Sequence, residues 1–139
     1  MIVVFDTNVF VSAAISHGSA RRCFVLLAKR KIQMAVTGEI LAEYEMAAEE
    51  LSRKPGKDNG AKWQPLFQWT KERAKIFEAV PLGKQRSRDA TDDIFLACAL
   101  ASRAKTIVSY DHDLLALGKP FGVEILKPTV FVARFKFEK

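Results

Sequence analysis

The sequence predicts an α/β fold: a three-layer α/β/α sandwich around a central, mostly parallel, twisted sheet. Two observations predict it. Short, continuous, β-branched apolar runs recur along the chain, beginning with Ile2-Val3-Val4-Phe5, and such runs suit strands buried on both faces. Between them lie longer segments with apolar residues at helical spacing, several opened by a side chain that can cap a helix. Strands that alternate with helices imply a parallel sheet covered on both sides.

The elements follow in order. Residues 2–5 read as the first strand. Residues 19–30 read as a helix, with Ser19 as N-cap and Cys23, Leu26, Leu27 and Arg30 at helical spacing. Residues 32–36 form a second strand, and Thr37 caps a helix whose Ile40, Tyr44, Ala47 and Leu51 share one face. Residues 52–60, with Pro55, Gly56, Asn59 and Gly60, carry loop chemistry. An amphipathic helix over 62–75 holds Trp63, Leu66, Phe67 and Trp69; a short strand at 76–80 and a basic loop over 81–90 come next. Thr91 caps a strongly apolar helix running to about Arg103. A strand at 106–109, a short helix over 111–117, a last strand at 123–126 and a tail or helix from Pro128 complete the chain. No internal repeat, low-complexity segment or linker divides it, so one domain is expected over residues 1–139.

About half of the residues are apolar (49%), enough for a proper core, and the charged fraction of 27% is that of a globular protein. No apolar run approaches the roughly 20 residues of a membrane helix. The first residues lack the basic flank of an export signal, and Asp6 interrupts them at once, so a cytoplasmic location is expected. Cys23 and Cys98 lie far apart, and no disulfide is expected in that setting. No Cys/His cluster has zinc spacing, and His17 and His112 are isolated. The net charge of +6 favours a polyanionic partner without requiring one. Its sources are spread in short groups, among them Arg21-Arg22, Lys29 to Lys31, Lys84 to Arg88 and Arg134 to Lys139.

In a parallel sheet the functional site lies beyond the carboxyl ends of the strands, and acids stand there. Asp6-Thr7-Asn8 ends the first strand, Asp111 and Asp113 follow the strand at 106–109, and Asp92-Asp93 opens the apolar helix. Glu43 lies in the helix capped by Thr37. Each acid has an ordinary structural account. Asp92 and Asp93 suit the positive end of a helix, Asp111 can cap the helix after it, and Glu43 is one of several glutamates on its helix. Asp6 is hardest to dismiss, because aspartate is poor in strands and here abuts a buried run. Jointly the accounts weaken. A parallel sheet brings Asp6, Asp93 and Asp111 to one edge, where their repulsion calls for a divalent cation. Oxygen-only donors point to Mg²⁺ or Mn²⁺, one ion or two.

At this point the residues resemble a known family, the PIN domain, and within it the toxin components of toxin–antitoxin pairs. The resemblance is carried by Val3-Val-Phe-Asp-Thr-Asn-Val9, Ile40-Leu-Ala-Glu-Tyr44, Asp89-Ala-Thr-Asp-Asp-Ile-Phe-Leu-Ala-Cys-Ala99 and Ile107-Val-Ser-Tyr-Asp-His-Asp-Leu-Leu115. The stretch Gly122-Val-Glu-Ile-Leu-Lys-Pro128 is similar to the family's ending. The resemblance implies a PIN-like, Rossmann-like fold and metal-dependent hydrolysis of RNA. It implies Asp6, Glu43, Asp93 and Asp111 as the acidic quartet, with Asp92 and Asp113 as further candidate metal ligands and Thr7, Asn8 and Ser109 as supporting polar groups. The choice of Asp93 over Asp92 rests on family spacing, and periodicity leaves Glu43 and Glu45 both on the border of the apolar face. Arg21, Arg22, Lys84, Arg86 and Arg88 are candidate RNA contacts. An antitoxin and a second copy of the chain are the implied partners; Trp63, Phe67 and Trp69 suit either a dimer contact or the core. One departure is Asp89-Ala90, where the family often has Asp-Pro.

Two rivals remain. A haloacid-dehalogenase-like phosphatase would need an aspartate and a threonine where Asn8 and Phe10 stand. A degenerate domain of the same fold would only bind RNA or protein, although none of the four matched acids is lost.

Overall fold

The computed structural model describes residues 1–54, 63–79, 82–83 and 93–135. Its elements are β1 (Ile2–Phe5), α1 (Thr7–Ile15), α2 (Ser19–Ala28), β2 (Gln33–Val36), α3 (Gly38–Ser52), α4 (Trp63–Arg73) and β3 (Lys75–Ile76). There follow α5 (Asp93–Ser102), β4 (Thr106–Val108), α6 (His112–Leu115), a 3-10 turn at Pro120–Gly122, β5 (Glu124–Leu126) and α7 (Pro128–Ala133). The five strands form one sheet in the order β3-β2-β1-β4-β5, and every described pairing is parallel.

The run Ile2-Val-Val-Phe explains why β1 is central. Val3, Val4 and Phe5 are wholly buried, as a strand covered on both faces must be. From β1 the chain winds outward through β2 to β3, then returns across the sheet through α5 to β4 and β5. The winding therefore reverses between β1 and β4. In open parallel sheets the crevice outside the carboxyl ends of such a pair is where ligands bind.

Several local expectations are corrected. Residues 7–15 form α1, a helix the periodicity did not reveal. Val9, Phe10, Ala13 and Ala14 are all buried, so α1 lacks the clean polar stripe that marks a helix in sequence. Gly18, not Ser19, occupies the N-cap of α2, and it makes no side-chain capping bond. β3 is two residues long and starts at Lys75. Pro128 opens α7, consistent with proline's fitness for a first helical turn. Thr37 caps α3 as expected, its hydroxyl accepting from the Ile40 N–H at 3.2 Å. On α3 the buried face is Ile40, Tyr44 and Ala48, with Ala47 half-buried at its border. The loop from residue 55, the basic loop over 84–90 and the Thr91 cap lie outside the described residues.

Phe10 organises the core on the α1 side. It stacks coplanar on Tyr44 at 4.6 Å and meets Phe24 and Phe67 edge-on. Trp63 and Phe67 are buried in this core, while Trp69 is half-buried. Cys23 and Cys98 are buried free thiols, and burial pushes both up to about 12. Two helix ends share an unusual turn. After α2 and after α5, Lys31 N–H donates to Leu26 and Ala104 N–H to Ala99, both at 2.9 Å. The left-handed residue in each turn is an arginine, Arg30 at φ 60° and Arg103 at φ 62°. Glycine is the usual occupant there, and a side chain costs about 1 kcal/mol. No described helix is long and apolar enough to cross a membrane.

Candidate active site

Asp6 belongs at once to β1, to the β1–β4 ladder and to α1. Its N–H donates to the Val108 carbonyl at 2.9 Å, extending the ladder, and its carbonyl accepts from Val9 at 3.0 Å, opening the helix. As N-cap it turns its carboxylate back on the chain, where Oδ1 accepts from the Thr7 N–H at 2.7 Å. Oδ2 accepts from the Ser109 hydroxyl at 2.6 Å. The side chain is 4% exposed.

Ser109 is the joint between the two central strands. Its hydroxyl donates to Asp6 and accepts the Asp111 N–H at 2.9 Å, so the ends of β1 and β4 are tied through one wholly buried oxygen. Asp111 then caps α6, its Oδ1 accepting from the Asp113 N–H at 3.0 Å. On the other flank of β1, the register with β2 covers Ile2–Gln33 and Val3–Met34. Beyond it, the Phe5 carbonyl accepts the hydroxyl of buried Tyr44 from α3. A tyrosine on an apolar helical face was legible in the sequence; its partner was not.

Asp6, Thr7, Asn8, Glu43, Ala47, Phe95 and Asp111 line one cavity of about 210 Å³ at this edge. Thus β1, α3 and the segment after β4 each send a carboxylate into it. Glu43 lines the cavity, and Glu45 is exposed and does not line it. Asp93 opens α5 and is half-buried, but Phe95 is the lining residue from that helix. Asp113 is half-buried beside Asp111 and does not line the cavity. Asp92, Lys84, Arg86 and Arg88 lie outside the described residues. Arg21 is turned to structural use: Nε donates to the Ala13 carbonyl at 3.0 Å and Nη1 meets His17 Nδ1 at 2.9 Å, closing the end of α1. Arg22 is exposed. A second cavity, about 280 Å³ and mainly apolar, lies between α1, α2 and α4, with Phe24, Leu66 and Trp69 in its walls.

Burial raises the Asp6 pKa above the usual carboxylate value. The hydrogen bonds from Ser109 and Thr7 oppose that shift, and the charges of Asp111 and Glu43 reinforce it. The Thr7 hydroxyl is buried without a hydrogen-bond partner among the described residues. Oxygen donors alone, with an unsatisfied buried hydroxyl beside them, fit a hard divalent cation. Among the described residues no three of His, Cys, Asp or Glu form a ready-made metal group.

A parallel α/β sheet with carboxylates gathered at its reversal point defines a class of acidic-site α/β domains. A family model of the PIN domain matches residues 2–113, and the chain belongs to the PIN domain family. Its fold is similar to that of VapBC2 from Rickettsia felis, solved bound to a DNA fragment from their promoter: TM-score 0.63, 20% identity, covering 91% of this chain and 98% of that one. It is similar to PAE2754 from Pyrobaculum aerophilum at TM-score 0.67 and 19% identity, covering 96% and 87%. VapBC-1 from nontypeable Haemophilus influenzae aligns at TM-score 0.56 and 16% identity, covering 93% and 99%. No curated protein sequence matches.

Proposed function

We propose that the chain is a metal-dependent endoribonuclease and the toxin of a toxin–antitoxin pair, acting in the cytoplasm. The convergence of Asp6, Glu43 and Asp111 from three elements on one cavity carries the reading. Family membership and the ordered motifs that resemble such toxins support it. Asp6 and Asp111 would hold Mg²⁺ or Mn²⁺, with Asp93 joining from the first turn of α5 and Asp92 and Asp113 as further candidates beside them. Bound there, the ion supplies charge for the phosphate oxygens and lowers the pKa of an attacking water.

The remaining work falls to the protein's own groups. Ser109 and the Thr7 N–H each donate to one Asp6 oxygen, which leaves each oxygen a further lone pair for a cation. Glu43, from α3, lines the same cavity and would orient or deprotonate water. Asn8 and Thr7 offer short polar groups at the cavity wall. A cognate antitoxin would silence the enzyme by covering this edge, and a second copy of the chain is the other expected partner.

The test is cleavage of a structured RNA by the wild type and Asp6→Asn with Mg²⁺ or Mn²⁺. Cleavage by the wild type, its loss in chelator and its loss in the variant are expected. A wild type that cuts no RNA and binds neither ion would leave a non-catalytic binding domain as the correct reading.

A further inference from the structure

The opposite, amino edge of the sheet is strongly basic. The chain enters β2 through Arg30 and Lys31 and β4 through Arg103 and Lys105; β3 begins at Lys75, and Lys119 precedes the turn into β5. All six side chains are exposed, and none is in an ion pair with an acid among the described residues. The register groups the four that flank β1, while Lys75, level with Ala35, stands further along the sheet. Ile2 pairs with Gln33 and Val3 with Thr106, so Lys105 stands level with Gln33 across β1, and Lys31 and Arg103 lie two residues earlier on either side. From β2 to β4 this group spans about 10 Å at normal strand spacing. Glu124, the acid that opens β5, is paired with Arg134 through hydrogen bonds of 2.6 and 2.8 Å, and the charge of Lys119 also acts on it.

Helix dipoles account for part of this. Carboxyl ends of helices point to this edge and favour a cation within the last turn. They do not account for the second cation at each corner. Nor do they account for arginine at the left-handed position of both corners flanking β1, where glycine would be free of strain.

We propose that this edge is a second nucleic-acid surface. It binds the sugar–phosphate backbone of the RNA strand whose scissile bond lies in the acidic cavity at the far edge. The assignment of RNA as the occupant rests on the ribonuclease reading. A group of exposed cations on either side of β1 matches the sugar–phosphate backbone of an RNA strand, which needs positive charge spaced along it. The acids of the cavity repel that backbone, so a long RNA gains its affinity from the basic edge. A fragment confined to the cavity gains nothing from it.

The test compares the wild type with the quadruple variant Arg30→Gly, Lys31→Gln, Arg103→Gly, Lys105→Gln. The two glycines remove charge where they also relieve strain, so the variant should melt at or above the wild-type temperature. In chelator, its affinity for an RNA of about 20 nucleotides should fall at least tenfold, and the salt dependence of log K should flatten by about 0.7 for each phosphate that is no longer neutralised. With Mn²⁺, kcat/KM should fall on that RNA and hold on a tetranucleotide. Unchanged affinity and salt slope would overturn the proposal while leaving the nuclease reading intact. A wild type that cuts no RNA, yet binds it through this edge, would overturn the nuclease reading and leave the edge standing. Wild-type binding to phosphatidylserine vesicles and not to RNA would overturn the proposal in favour of a membrane. Should the quadruple variant fail to fold, Lys31→Gln with Lys105→Gln carries the same comparison.

Discussion

Asp6 is an acid held where its charge is unwelcome, and its stability signature follows from that. Because burial and the neighbouring Asp111 and Glu43 raise its folded-state pKa, the folded protein binds its proton more tightly than the unfolded chain does. Below the unfolded pKa both states are protonated and nothing is lost. As pH rises through the ordinary carboxylate value toward the raised one, the buried group must ionise and stability falls; above that window the loss is complete. In chelator, Asp6→Asn should therefore be more stable than the wild type at neutral pH, and the gap should close on acidification toward pH 4. Melting curves across that range check it; a gap independent of pH would show that the carboxylate is not strained by its setting. Ser109→Ala removes the donor to Asp6 and the acceptor for the Asp111 N–H together. The expected loss is about 1–3 kcal/mol in denaturant titrations. Metal-dependent cleavage should also drop about 10–100-fold, because the groups that orient a metal ligand matter nearly as much as the ligand.

Tyr44 shows how one helix is pinned to the site. Its ring stacks on Phe10 of α1 and its hydroxyl closes the Phe5 carbonyl of β1, so α3 is registered against two elements at the residue after Glu43. Tyr44→Phe keeps the ring stack and strands a buried carbonyl, a loss of about 1–3 kcal/mol. If the contact also sets Glu43, kcat should fall while KM for RNA holds; a stability loss with unchanged kcat would restrict Tyr44 to packing. Much at this level was readable beforehand. Val3, Val4 and Phe5 announced a buried strand, and Thr37 and Asp111 capped the helices they were expected to cap. α1 was not readable. A helix buried on most of its surface carries no polar stripe, so hydrophobic period cannot distinguish it from a loop of apolar residues.

Among the described residues, Asp6, Glu43 and Asp111 line the cavity at the carboxyl edge of the sheet, and exposed cations flank β1 at the amino edge. The acidic edge predicts a linkage. A divalent ion that binds only the folded state should raise the melting temperature, by about 2.7 kcal/mol in stability at a hundredfold excess over its dissociation constant. Asp6→Asn should abolish most of that rise. A wild type whose melting temperature ignores Mg²⁺ and Mn²⁺ would count against a shared metal site.

The parallel sheet, and the acids that end its strands, could be read from residue order, because burial on both faces and strand–helix alternation are written in short-range pattern. Family motifs supplied Glu43, and periodicity alone left it level with Glu45. Folding separated them. Helical spacing specifies an apolar face to within about one residue, and the packing of Tyr44 on Phe10 then fixed the rotation that turns Glu43 into the cavity and Glu45 out to solvent. The Ser109 bridge, the Tyr44–Phe5 bond and the grouping of cations on either side of β1 belong to the same category. Each joins residues distant in the chain, and only strand order and register bring them together.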